Sequence, residues 1–434
     1  MAHYHATLDG TENMTPPVSR PYAWIVFALT MGLLISDYMS RQVLNAVFPL
    51  IKNEWVLSDQ QLGLLSGIVA LMVGLLTFPL SLMADRWGRV KSLALMATLW
   101  SLATLGCALA QSYEQMFLGR FLVGVGEAAY GSVGIAVVLA VFPHHLRATL
   151  AAAFMAGGMF GSVLGVGLGG VIAAHLGWRW AFASMALFGL ALALLYPIVV
   201  REKKVTVPPT KTQMSSPAVQ RPLRTLFSSR SVLCAYIGSG LQLFVVGTMI
   251  VWLPSYLNRY HDMDTEKAGG VAAIILLCSG VGTILCGMLS DRMCRNSPAS
   301  KISLAIVYCI GSCLLLSLAF MLPHDSAQLV LITLGMMLAA GTNGPSSAMV
   351  ANLTHYSVHG TAFATLTLAN NLLGLAPGPF ITGRLSDLIG LQTAFQWVPL
   401  VSIAASAVFL HARSSYLNDI GRMTPPVSFA QAGV

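Results

Sequence analysis

Four charged residues stand inside stretches that are otherwise apolar. Arg120 and Glu127 lie seven positions apart in EQMFLGRFLVGVGEAAYGSVGIAVVLAV, residues 114–141, and Asp37 and Arg41 lie four apart in an earlier run. In a helix these spacings are two turns and one turn, so each pair projects from one face. A charge near the centre of a bilayer costs ~2.5 to 3.5 kcal/mol even on lenient insertion scales, so such a group faces a partner or a water-filled cavity. Arginine stays charged and grips a carboxylate or phosphate with two parallel hydrogen bonds. A buried carboxylate changes its protonation as its surroundings open, close or fill. Together these are the parts needed to carry an anion with a proton. The plainer interpretation, an internal ion pair that only fixes helix packing, stays open for Arg120 and Glu127 alike.

The elements that hold them must be membrane helices. The chain has 434 residues, 56% of them hydrophobic and 9% charged, with a mean hydropathy of +0.73; a soluble protein carries about 25% charged residues. Apolar runs near the span length of roughly 20 residues recur throughout, separated by short polar turns. The expected fold class is therefore an all-α membrane protein of twelve transmembrane helices. Six spans are expected at 22–50, 61–84, 92–110, 114–141, 149–174 and up to about 200, and six more at 232–257, 268–289, 302–322, 327–352, 359–385 and 393–411. The corresponding organisation is a cytoplasmic tail (1–20), an N-terminal six-helix bundle (21–200), a polar, basic, proline-containing cytoplasmic linker (201–231), a C-terminal six-helix bundle (232–412) and a cytoplasmic tail (413–434). The N-terminal tail has neither a basic n-region nor a small-residue cleavage site. The fifth span, with Gly157, Gly158, Gly161, Gly165, Gly167, Gly169 and Gly170, suits a close or sliding helix interface.

Lys and Arg placement orients the chain. With both termini cytoplasmic, the inner loops hold Arg86, Arg89, Lys91, Arg147 and the basic linker, whereas the outer side holds Lys52, Arg179, Arg259, Lys267 and Arg384. The net charge of +8 then follows from topology, and no nucleic-acid partner is implied. The halves also repeat each other. Ser81 to Arg86 is answered by Gly287 to Arg292, and Gly170…Gly177…Phe182 by Gly383…Gly390…Phe395 at the same spacing. Two such pseudo-symmetric bundles place a site at their interface near the midplane, reached from alternate sides as one bundle rocks against the other.

Asp85-Arg86-Trp87-Gly88-Arg89, its second copy at Asp291-Arg292, and the Arg120…Gly124 stretch resemble the major facilitator superfamily over essentially the whole chain. The resemblance implies the major facilitator fold and a gating role for Asp85, Arg86, Arg89, Asp291 and Arg292 on the cytoplasmic face. Position 81 is Ser where the family usually has Gly. Within the superfamily, Gly124 to Tyr130 and the string Ala376-Pro377-Gly378-Pro379-Phe380…Gly383…Ser386-Asp387 look like the spinster-like group, while Arg120 with Glu127 is also similar to the anion:cation symporters. Both groups typically carry Asn-Tyr-x-Asp-Arg in the first span. Here the stretch reads Asp37-Tyr38-Met39-Ser40-Arg41, with the acid one turn from its usual place.

Glu127 is the expected main proton carrier, with Asp37 a second carrier or modulator. Arg41 is the expected anion contact, and Arg120 positions Glu127 or shares the anion. Neutral contacts are expected from the second half, at Trp252 and Tyr256, Asn343 and Asn370, with Gln242, Ser346, Ser347 and Asn371 as further candidates; packing between helices is the competing reading for each. Pro345, Pro377 and Pro379 mark bends. No nucleotide, zinc-protease or serine-hydrolase motif is present, so the chain is not expected to be an enzyme. The seven cysteines lack paired metal-ligand spacing, and His144, His145, His355 and His359 lie in or next to inner loops and read as interfacial, so neither cofactor nor metal is expected. The function expected is proton-coupled transport of a small organic anion, a carboxylate or sugar acid, by a monomer in a bacterial inner membrane. Partners are the small-molecule substrate, protons and the lipid bilayer. A lysophospholipid or similar amphipathic lipid is the alternative substrate; a membrane receptor or scaffold is the third reading. The absence of a proline in the fifth span disfavours drug export.

Overall fold

The computed structural model describes residues 18–143, 146–205, 227, 229–294, 298–354 and 359–423. Most of the expected tails and linker, residues 1–17, 206–226 and 424–434, lies outside them, as do His144, His145 and His355. Among the described residues all regular structure is helical.

The chain forms α1 (Arg20–Trp55), α2 (Asp59–Trp87), α3 (Arg89–Leu109), α4 (Tyr113–Glu127), α5 (Tyr130–Val141), α6 (Arg147–Leu176), α7 (Trp178–Val199) and the short α8 (Glu202–Val205). It continues with α9 (Arg230–Tyr260), α10 (Thr265–Met293), α11 (Pro298–Ala319), α12 (Ser326–Gly341) and α13 (Asn343–Asn352). After α14 (His359–Asn370) comes one wide π-type turn, Asn371–Leu375, then α15 (Pro377–Ile389), α16 (Leu391–Trp397) and α17 (Val401–Met423). Among the described residues eleven helices, counting α4–α5, α12–α13 and α16–α17 as joined, are long and apolar enough to cross a membrane. The twelfth span is the segmented α14–α15.

Local chemistry sets the ends. Ser58 and Gln61 form a reciprocal capping box on α2, and Asp264 and Asp325 cap α10 and α12 by accepting from the backbone N–H three residues on. Gly177 and Gly390, matched in the sequence repeat, adopt the same backbone (φ 89°, ψ 160° and φ 82°, ψ 151°). A side chain is strained at such φ, and this is why the repeat keeps glycine there.

Buried side chains show how the helices group. One apolar core contains residues from both parts of the chain: Val47, Phe48 and Ile51 of α1, Leu62 of α2 and Phe182 of α7 with Val245, Trp252 and Tyr256 of α9, Phe320 and Phe395. It lies at the end that carries Asp59. Toward the end that carries Asp85 there are two separate cores. Val26, Trp100, Tyr130, Val137 and Phe154 belong to the helices before α9; Val232, Ile302, Val350, Leu366 and Phe409 belong to those from α9 onward. The two helix groups are thus fused at the Asp59 end and divided at the Asp85 end.

Glycines make the fused side close. Gly63 of α2 lies on the Pro379–Phe380 backbone of α15 and Gly74 on the Asn371 Cβ. Gly170 of α6 faces Gly269 of α10, where an added Cβ would come within 3.2 Å of the opposing Cα. Gly167 also faces α10, at Ala273, and the other glycines of the α6 stripe pack on α1, with Gly158 and Gly161 against the Tyr38 side chain and Gly165 against Met39.

Candidate functional site

α1 carries Asp37, Tyr38 and Arg41, and α4 ends on Glu127. The residues 114–141, expected as one helix, are interrupted at Ala128–Ala129, where Ala129 has φ −109° and ψ 1°. The small residues around Glu127 permit the break, and Thr77 of α2 meets it: its one hydroxyl hydrogen is shared between the Val73 carbonyl of its own helix at 2.5 Å and the Ala128 carbonyl at 2.6 Å. A helix end inside a membrane needs such a partner, because no water is there to take the freed carbonyl. The break leaves Glu127 at the terminus of α4, aimed at α1.

There Arg41 donates from Nε at 3.0 Å and from Nη2 at 2.9 Å, both to Glu127 Oε2. The Glu127 side chain is fully buried, whereas that of Arg41 keeps 19% of its surface accessible. Asp37, also buried, lies within hydrogen-bonding reach of Glu127 and close enough to feel the charge of Arg41. Neither Asp37 Oδ1 nor Glu127 Oε1 receives an N–H or O–H from the described residues. The Arg41 guanidinium stands over the Tyr38 ring at 5.5 Å, and Gly158 lies against that ring with Gly161 against the Tyr38 Cβ. One fixed cation therefore serves two carboxyl groups.

Arg120 lies beside this cluster, close enough to feel the charges of Glu127 and Arg41. It is completely buried and directs its N–H groups to main-chain carbonyls: Nη1 to Ser40 at 2.9 Å, Nη2 to Arg41 at 3.0 Å and Nε to Leu65 at 3.4 Å. It ties α4 to α1 and α2 and holds the backbone of Arg41, with no bond to Glu127.

Trp252 and Tyr256 stand apart from the cluster, in the fused core. Trp252 Nε1 donates to the Pro379 carbonyl at 3.0 Å and its ring meets Phe48 at 5.2 Å. Tyr256 donates to Gln392 at 2.5 Å and accepts from Gln328 at 2.9 Å. Asn343 and Asn370 flank two of the helix breaks of the second group, α12–α13 and α14–α15, both half-buried; among the described residues neither bonds to the Asp37–Arg41–Glu127 cluster. Gln242 donates to Ser312 of α11 and Asn371 to the Thr367 carbonyl.

At the Asp85 end, Asp85 meets Arg89 at 3.3 Å and Asp291 meets Lys301 at 2.7 Å, each inside its own group; Arg86 and Arg292 are exposed. Glu202 of α8 accepts from the first N–H groups of α3, Arg89 at 2.8 Å and Val90 at 2.9 Å.

The Asp59 end holds a cluster that single-sequence patterning did not single out. Asp59 is buried. It takes Arg259 of α9 through both oxygens, at 2.6 and 2.7 Å, with Lys52 at 2.5 Å and Ser386 Oγ of α15. Asp387 accepts the N–H groups of Asp59 and Gln60, each at 2.8 Å. The available signal was Gly383…Ser386-Asp387, one small and two polar residues on adjoining turns of α15.

Among the described residues no three His, Cys, Asp or Glu side chains come together to hold a metal, and all seven cysteines are free thiols.

The family model described as Major Facilitator Superfamily matches residues 30–379. The chain is similar to the hexuronate transporter of Bacillus subtilis, at 22% identity over 84% of this chain and 88% of the relative. It is similar also to protein spinster homolog 1 of Xenopus laevis, at 27% over 84% and 73%. Among solved structures it resembles a bacterial homologue of the human lysosomal transporter spinster, inward-facing and unoccupied. That likeness has a TM-score of 0.84 at 21% identity and covers 93% of this chain and 99% of the other.

Proposed function

The chain belongs to the major facilitator superfamily and is a membrane transporter; on that premise we propose that it carries a small organic anion, a carboxylate or sugar acid, together with a proton. The observation that carries this is the one-cation, two-carboxyl cluster of Arg41, Asp37 and Glu127. One guanidinium balances one carboxylate, so the cluster is neutral only when the other carboxyl keeps a proton.

Glu127 and Asp37 are the proton-coupling pair. Arg41 is the anion contact, because its accessible edge leaves N–H groups for a ligand while Nε and Nη2 hold Glu127. An arriving carboxylate competes with Glu127 for the guanidinium. When it wins, Glu127 takes up a proton, and anion and proton cross together with no net charge in the cluster. Arg120 is a positioning residue. Asn343 and Asn370 are the second-half contacts to the substrate, and Trp252 and Tyr256 belong to the seal on the far side of it.

The chain divides for this purpose at the linker 201–231, into bundles 21–200 and 232–412, with the residues 1–20 and 413–434 as tails. The Asp85 end, rich in Lys and Arg, faces the cytoplasm of a bacterial cell, so both termini are cytoplasmic and the arrangement described is open inward. Asp85, Arg86, Arg89, Asp291 and Arg292 close that end in the other state. The protein acts as a monomer in the lipid bilayer.

The likeness to the hexuronate transporter supports the anion reading; the likeness to spinster proteins favours the second reading, an amphipathic lipid such as a lysophospholipid. A thermal-shift screen separates them, since a ligand bound to the folded state raises its stability by ~2.7 kcal/mol at a hundred times its Kd. Glucuronate should stabilise the native protein. It should stabilise Arg41→Lys far less, because lysine keeps the charge and lacks the two-point grip. Stabilisation by lysophosphatidylcholine and by no organic acid would overturn the anion reading.

A further inference from the structure

The geometry points to Asp387 as the residue that caps α2 from the opposite helix group, and thereby as a positioning residue for closure of the Asp59 end. Its two carboxylate oxygens accept from the consecutive main-chain N–H groups of Asp59 and Gln60, at 2.8 Å each. The next amide, Gln61 N, is held by Ser58 Oγ at 3.1 Å, and Leu62 N by the Ser58 carbonyl. The first turn of α2 thus has every N–H satisfied, half of them by its own chain segment and half by α15.

A helix begins with N–H groups that have no internal partner, and a carboxylate there gains from both the hydrogen bonds and the helix dipole. In α2 this gain exists only while the two groups are together. Asp387 also fixes the main chain of Asp59, whose side chain meets Arg259, Lys52 and Ser386. The two carboxylates and two cations balance, which lets Asp387 approach Asp59 without net repulsion. Gly383, one turn earlier on α15, lies against the Asp59 main chain, where a Cβ would come within 2.7 Å of the carbonyl carbon. The sequence Gly-x-x-Ser-Asp on α15 is therefore one docking face for the start of α2.

This inference rests on alternating access between the two groups, and hydrogen–deuterium exchange of the intact protein tests both. In Asp387→Ala, segments at the Asp59 ends of α2, α9 and α15 should exchange about five-fold faster, the factor a helix cap is typically worth. Segments at the Asp85 ends should slow reciprocally, as population moves to the state closed there. Asp387→Asn, which keeps one acceptor oxygen, should fall between. Ser58→Ala removes a cap of the same kind from within the group and should quicken exchange in the first turn of α2 alone. An Asp387→Ala pattern confined to that turn, like that of Ser58→Ala, would overturn the proposal. Asp59→Asn separates the two levels: a reciprocal pattern there with none in Asp387→Ala sinks only the role of Asp387, and its absence in both sinks alternating access as well.

Discussion

Glu127→Gln tests the charge count at the cluster. In the native protein both Arg41 donors converge on Glu127 Oε2, at 3.0 and 2.9 Å. A glutamine that places its carbonyl oxygen there keeps both bonds, and its NH2 group finds the Asp37 carboxyl as acceptor. Arg41 retains Asp37 as its counter-charge. The substitution therefore costs only the difference between a charged and a neutral partner, ~1 to 2 kcal/mol, and the variant should fold. It has lost the exchangeable proton, because the remaining carboxylate is tied to Arg41. A carrier of one anion with one proton accumulates its substrate up to ~10-fold for each unit of pH difference, a unit being worth ~1.4 kcal/mol. In proteoliposomes with a one-unit step, native protein should approach that ratio for labelled glucuronate. Glu127→Gln should level near unity while still exchanging labelled for unlabelled glucuronate at equal pH. Accumulation by the variant close to the native ratio would refute the assignment of the proton to Glu127.

Gly63→Ala should hold the Asp59 end open, since its Cβ would stand 2.8 Å from the Pro379 carbonyl carbon and 3.0 Å from the Phe380 Cα, main-chain atoms that cannot turn aside. Overpacking of this kind costs ~1 to 3 kcal/mol and is felt only when the groups meet. Spin labels on exposed Leu176 and Met321, in a background with the seven thiols replaced, should move apart; an unchanged spacing would contradict the closure described. Gly126→Ala, whose Cβ would meet the Trp100 main chain at 2.7 Å inside one group, should lower the melting temperature with no such widening. His261, in the turn between α9 and α10, has its pKa below the usual imidazole value because burial disfavours its charged form, with the Gln328 hydrogen bond partly offsetting this. The folded state then binds fewer protons than the unfolded one, so this stability is present above the ordinary imidazole range and is lost as pH falls through the lowered value. Melting temperature should decline on the acid side, and His261→Gln should flatten that decline; an identical acid limb in the variant would remove His261 as its cause.

The span pattern was legible because backbone polar groups in a bilayer must be satisfied within the protein, which an α-helix does by itself, so each apolar run of sufficient length declares itself. The repeat of Gly177 and Gly390 was legible for a related reason: a positive φ tolerates little besides glycine. Asp37, Arg41 and Glu127 stood out because charge inside a membrane helix is costly. Arg120 stood out equally, yet its donors go to the carbonyls of Ser40, Arg41 and Leu65. Sequence spacing places a residue on a face and says nothing of whether its partner is a side chain or a bare main chain. Trp252 and Tyr256 carried the composition of a binding surface and fill a core instead, for packing with Phe48, Pro379 and Gln328 depends on residues more than seventy positions away.

The break after Glu127 was hidden because Gly, Ala and Val read as an unbroken apolar run, and Thr77 makes the break tenable from another helix. The Asp59 end was hidden for the same reason: Asp59, Arg259, Ser386 and Asp387 belong to three helices, and each alone reads as a helix end or a topology anchor. By itself, then, the chain determined its spans, its internal repeat and which charges had to find company. Only the tertiary structure decided who that company is, because the gain from pairing a buried charge depends on distance and direction to its partner, and these are set where two distant stretches of chain meet.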